Sequence, residues 1–99
     1  MNPVDRNNVV ITISKFKTEN LKRYGIKKIG IFGSLALESS NPTNDIDVVV
    51  ELDKPDLFCL IGIKQDLEVL LGKPVNIVRY RENMNEFLKK RIDNDVVYV

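Results

Sequence analysis

The run Asp45–Leu52, DIDVVVEL, limits the folds open to this chain more than any other segment. Its valines are strongly β-forming, and beyond Asp47 the strand carries apolar side chains on both faces, so both faces must be covered. The remaining segments can supply that cover. Val9, Val10, Ile13, Phe16, Leu21 and Tyr24 recur at helical spacing over residues 8–24 and are followed by Gly25, a residue suited to a left-handed cap. The β-branched run Val9–Ile13 pulls the start of this helix toward strand. Residues 26–32, IKKIGIF, alternate at Ile29 and Ile31 and read as a strand leading into Gly33-Ser34, while SSNPTN at 39–44 is a loop by composition. Residues 56–71 place Leu57, Leu60, Ile61, Leu67, Leu70 and Leu71 on one helical stripe, with Lys64 at the same spacing, and Gly72 and Pro74 stop the helix. Val75–Tyr80 is a third strand. Asn83 with Glu86 three residues later resembles a capping box opening a helix to about Asp93, and VVYV is a short final strand. This order predicts an α/β (α+β) domain, a small mixed sheet with flanking helices.

Composition narrows the chemistry. Ninety-nine residues, 43% apolar and 29% charged, fit a single soluble domain spanning 1–99. No apolar stretch approaches the length of a membrane span, and no secretory signal is expected from MNPVDRNNVV. A single cysteine, Cys59, excludes an internal disulfide and a multi-cysteine zinc site; it lies in an apolar helix and reads as core. The absence of histidine excludes Ser-His-Asp and Cys-His catalysis, so any metal is expected to be hard and oxygen-bound, in a reducing cytoplasm. Net charge is +1 but unevenly spread: +5 over residues 1–37, −6 over 38–68 and +2 over 69–99. An acidic centre between basic flanks suits a solvated face, and equally a cation site beside groups that attract phosphate.

Two short elements carry the candidate chemistry. Asp45 and Asp47 open a strand, where side chains at i and i+2 share a face and Ile46 points to the core. Paired carboxylates on a rigid strand repel each other unless a cation lies between them, and Mg²⁺ suits such a pair. Gly33-Ser34 follows an apolar strand and precedes a possible short helix, Leu35–Glu38. Glycine admits a ligand close to the backbone, and free N–H groups with a serine hydroxyl can hold phosphate oxygens. The two elements are separated by ten residues, and together they offer a phosphate turn and a metal pair, as nucleotidyl transfer requires.

The stretch IGIFGSLALESSNPTNDIDVVVEL resembles the signature of the DNA polymerase β-like nucleotidyltransferase superfamily, Gly-Ser, ten residues, then Asp-x-Asp. The chain's small size resembles the minimal nucleotidyltransferase (MNT) branch, the antitoxins of HEPN–MNT pairs, and LLGKPVNIVRYRENMNEFLKKRIDNDVVYV is similar to the C-terminal half of those proteins. The resemblance implies a palm-like fold, with Gly33 and Ser34 binding the nucleotide triphosphate. Asp45 and Asp47 would hold two Mg²⁺ ions, with Mn²⁺ as an alternative. It further implies transfer of AMP from ATP, or of another nucleotide, to a hydroxyl of a HEPN-domain partner, a tyrosine, within a hetero-oligomer. Nucleic acid would be met only through that partner, and no membrane is involved. Asn76 stands where the family generally places a third carboxylate, and Leu37 and Glu38 stand where many members have a basic residue and glycine. An amide cannot accept a proton at neutral pH, so reduced turnover is expected. The alternative function is a binding module that neutralises its partner by contact alone. Arg79 and Arg81 fall on the strand face opposite Asn76 and read as partner-contacting; Lys89-Lys90-Arg91 reads as a solvated helix end.

Overall fold

The computed structural model describes residues 6–33, 45–54 and 56–99. Along the chain it forms α1 (Arg6–Tyr24), β1 (Ile26–Phe32), β2 (Ile46–Leu52), α2 (Leu57–Leu71), β3 (Val75–Arg79), α3 (Glu86–Asp95) and β4 (Val97–Tyr98). The sheet order is β3-β2-β1-β4; β1 is antiparallel to β2 and β4, while β2 and β3 are parallel and joined through α2. The expected mixed sheet with flanking helices is what forms.

The triple valine explains the layering. Val48, Val49 and Val50 are fully buried, because β2 lies inside the sheet with helices on both faces. On one face Ile46, Val48, Val50 and Leu52 join Ile29 and Ile31 of β1 against Val9, Ile13 and Phe16 of α1 and Ile63 and Leu67 of α2. On the other, Val49 packs with Phe32, Met84 and Ile92, so α3 covers the second face. Among the described residues, with Ile26 and Val75 added, thirteen buried side chains belong to the α1–α2 cluster and four to the α3 cluster, so the first face is the main source of stability. The Tyr24 hydroxyl donates to Asp66 Oδ2 at 2.7 Å and ties the end of α1 to α2.

The helix expected over residues 8–24 forms, while the expectations for α2 and α3 need correction. Residues 9–13 are helical despite their β-branched side chains, and α1 starts at Arg6. Burial of Val9, Ile13 and Phe16 on the sheet outweighs a local preference worth only tenths of a kcal/mol per residue, roughly. In α2 the stripe is rotated: Ile63 and Leu67 are buried, Leu60 and Leu71 pack at the margin, and Leu57, Ile61 and Leu70 are exposed. This helix is apolar around much of its circumference, so spacing alone could not choose the side that meets the sheet. In α3 the cap is Asn85, not Asn83: its side chain accepts from Leu88 N–H at 3.1 Å, and the helix runs on to Asp95. Gly25 and Gly72 do follow α1 and α2 with φ of +66°. The segment Leu35–Glu38 lies outside the described residues.

Candidate active site

Three strand ends meet at one edge of the sheet. In the antiparallel ladder Phe32, the last residue of β1, pairs with Asp47 near the start of β2. In the parallel ladder Asp47 pairs with Asn76 near the start of β3. Ile46 and Val48 turn into the α1–α2 core, so alternation sends Asp47 to the opposite face, with Asp45 two residues earlier on the same side.

Register brings the side chains together. The Asn76 amide nitrogen Nδ2 donates to Asp47 Oδ1 at 3.1 Å and lies 3.4 Å from Asp45 Oδ2. One amide group thus sits between two carboxylates, where a cation would otherwise offset their repulsion. The start of β3 is fixed from behind by α2: Val75 N–H donates to Glu68 Oε2 at 2.9 Å, and Lys64 Nζ reaches the same oxygen at 2.9 Å. The Val75 N–H and then the lysine hold the Glu68 carboxyl below its usual range. Ile46 N–H donates to Pro74 O at 2.9 Å, which locks the β2–β3 register just before Asp47 and Asn76.

Gly33 forms the third side. Its φ is +78°, and a Cβ there would lie 2.5 Å from Asp47 Oδ2 and 3.2 Å from an Arg91 guanidinium nitrogen, Nη2. Only a residue without a side chain leaves room for the Asp47 carboxylate to lie against this turn. Ser34 lies outside the described residues.

The donor set fits a hard divalent ion. Asp45 and Asp47 present carboxylate oxygens, and a half-turn of the Asn76 amide would exchange its nitrogen for a neutral oxygen. Among the described residues no group of three or more Asp, Glu, His or Cys is placed to hold a metal, and the polar side chain bonded to both carboxylates is that of Asn76.

Other candidates sort differently. Arg79 and Arg81 line an open groove with Leu57, Leu60 and Ile77 at the β3 edge, away from the carboxylate pair. Cys59 packs partly against the core; burial, then Asp56, pushes its thiol up, which argues against a thiolate nucleophile. Arg91 is exposed, in line with its reading as part of a solvated basic run, and its guanidinium also reaches over Phe32, with the guanidinium carbon 5.8 Å from the ring centroid. Leu88 and Ile92 mark the sheet-facing side of α3, and Arg91 adjoins it.

Comparison with known proteins places this geometry. A family profile described as nucleotidyltransferase domain matches residues 13–99. A candidate protein adenylyltransferase of Methanocaldococcus jannaschii, MJ1217, is 34% identical over 88 residues, covering 88% of this chain and 90% of the relative. Protein adenylyltransferase MntA of Thermococcus cleftensis is 31% identical over 88 residues, covering 88% of each. Among solved structures, a candidate minimal nucleotidyltransferase superposes with a TM-score of 0.75 at 21% identity, covering 98% of both chains. A complex of tri-AMPylated Shewanella oneidensis HEPN toxin with MNT antitoxin gives a TM-score of 0.70 at 20% identity, covering 94% of this chain and 70% of the other. The structural likenesses establish the fold, and with the profile spanning nearly the whole chain and relatives above 30% identity, the chain belongs to the nucleotidyltransferase domain family.

Proposed function

We propose that this chain transfers AMP from ATP to a hydroxyl of a partner protein, as the antitoxin of a HEPN–MNT pair in the cytoplasm. The observation that carries the reading is the convergence of Asp45 and Asp47 on Asn76 Nδ2, at the sheet edge where β1 ends in Gly33. The relatives' names, protein adenylyltransferase, support the reaction, and the HEPN–MNT complex of like fold supports the partner. The 99 residues act as one minimal domain.

In this reading Asp45 and Asp47 would hold Mg²⁺, or Mn²⁺ in its place, while Gly33 and Ser34 would receive the triphosphate. A divalent ion bound there would offset negative charge on the phosphate oxygens. The partner's hydroxyl oxygen forms a bond to the α-phosphorus as the bond to the bridging oxygen breaks. Pyrophosphate leaves with the electron pair, and the hydroxyl proton passes to water. Asn76 orients its amide between the two carboxylates but cannot take that proton, which makes turnover slow. Phe58 and Phe87, 83% and 86% exposed, offer apolar surface for a protein partner. Among the described residues no helix is long and apolar enough to cross a membrane.

The amide between the two carboxylates also favours a second reading, a module that neutralises its partner by contact alone. Calorimetry separates the site from the surface. ATP affinity should require Mg²⁺ or Mn²⁺ and fall at least tenfold in Asp45→Ala and Asp47→Ala, while the partner still co-elutes with both variants. Nucleotide binding that ignores both substitutions would remove the assignment.

A further inference from the structure

Asp47 divides the site into two sides. Its Oδ1 faces Asn76 and Asp45, whereas its Oδ2 lies against the Gly33 turn, beside the guanidinium of Arg91. The first side collects acids and an amide; the second has an open glycine backbone and an exposed guanidinium. Arg91 extends across the ring of Phe32, whose strand neighbour is Asp47 itself, so the sheet edge holds the guanidinium toward the turn. Sequence sharpens the point. Residues 29–53, which run from the middle of β1 through Gly33-Ser34 to just past β2, hold no lysine or arginine but five acids, Glu38, Asp45, Asp47, Glu51 and Asp53; the β1 lysines, Lys27 and Lys28, lie at the far end of the strand, where Lys27 pairs with Glu51 at 3.5 Å. A polyphosphate bound against this turn meets the carboxylates of Asp45 and Asp47, and the nearest strand residues, 29–33 and 45–49, carry no lysine or arginine to offset them. A protein cation must therefore come from elsewhere in the fold, and α3 delivers one.

We propose that Arg91 is a nucleotide-binding residue that grips the phosphates beyond the α-phosphate, those that depart as pyrophosphate. The assignment rests on the nucleotidyltransferase reading of the site and extends it to a residue outside the Gly-Ser and Asp-x-Asp elements. Guanidinium presents a planar fork of donors suited to phosphate oxygens, and its contact with Phe32 limits the freedom lost on binding. Placed on the Oδ2 side, it leaves the Oδ1 side to the metal and the α-phosphate. The same contact would stabilise the charge gathering on the leaving group as its bond to the α-phosphorus breaks.

The test is calorimetry of the 99-residue chain and its Arg91→Gln, Arg91→Lys and Lys90→Gln variants, titrated with ATP, ADP and AMP in saturating Mg²⁺. Lys90 is an exposed neighbour on α3, so its variant loses the same net charge without touching the turn. Arg91→Gln should weaken ATP and ADP by about tenfold or more and leave AMP unchanged, with Arg91→Lys in between and Lys90→Gln like the parent. Thermal melts of the variants report folding alongside. ATP affinity in Arg91→Gln equal to that of the parent overturns the assignment while leaving the site reading intact. Equal losses for ATP, ADP and AMP overturn it too, because Arg91 would then support the site without touching the outer phosphates. Absence of nucleotide binding in the parent chain overturns the site reading, and the assignment with it.

Discussion

Replacing Gly33 by alanine separates what the turn does for stability from what it does for the site. Two costs follow from the geometry. An L-residue at φ +78° pays about 1–2 kcal/mol for the left-handed backbone. The new Cβ would also stand 2.5 Å from Asp47 Oδ2, so the carboxylate must move by roughly an ångström to reach ordinary contact, at about 0.5–1.5 kcal/mol of rotamer strain. Restricting the unfolded chain returns about 0.4–1 kcal/mol, leaving a net loss near 2 kcal/mol. In a domain of this size that lowers Tm by about 8–16 °C. Gly72→Ala is the matched control: φ is +66° and nothing lies within 4 Å of its Cβ position, so it pays the backbone term alone, about 1 kcal/mol net. Both variants should fold and melt early. Only Gly33→Ala should lose Mg²⁺-dependent ATP binding, because only there is the Asp47 carboxylate pushed off its place beside Asn76. Differential scanning calorimetry with ATP titrations reads both quantities. ATP affinity in Gly33→Ala within twofold of Gly72→Ala would refute the reasoning.

Asn76→Asp places a third carboxylate against Asp45 and Asp47, so the metal-free Tm should fall and recover in millimolar Mg²⁺, and transfer should rise by about 10²–10⁴ if position 76 then takes the acceptor proton. Equal Tm and equal rates would make Asn76 a bystander. The Glu68 carboxyl titrates below its unfolded value, so its bond to Val75 stabilises the fold above an unfolded-state pKa of about 4.3 and is lost as pH falls through the lower folded value. The Tm advantage of the parent over Glu68→Gln should be level from pH 7 to 5 and shrink in more acid solution; parallel curves down to pH 3 would contradict the linkage. Phe58→Ser and Phe87→Ser should leave Tm within a few degrees and ATP affinity unchanged while weakening co-elution with the partner, and unaltered co-elution would exclude those aromatics from the interface.

Much of this arrangement is legible in the amino-acid order, and the gaps have physical causes. Alternation placed Asp45 and Asp47 on one face, and the apolar runs marked β1, β2 and β3 to within a residue or two. That Asn76 lies beside Asp47 needed the parallel register, which the Ile46–Pro74 bond sets across a long sequence distance and the more local Glu68–Val75 bond supports. The facing side of α2 was hidden because its apolar residues ring the helix. Arg91 is exposed, as its basic run suggests, but its reach over Phe32 to the Gly33 turn was not legible, because it depends on how α3 is laid against the sheet. The difference lies in tertiary placement, which local spacing does not encode.

The central claim, AMP transfer to a partner protein, is tested most directly by incubating the chain and its co-purified partner with Mg²⁺ and ATP labelled at either the α- or the γ-phosphorus. The α-label should enter the partner slowly, the γ-label should leave as pyrophosphate, and Asp47→Ala should abolish incorporation. Incorporation of γ-label would make the reaction a phosphorylation. No α-label on a partner that is nonetheless neutralised would contradict transfer and leave contact as the mechanism.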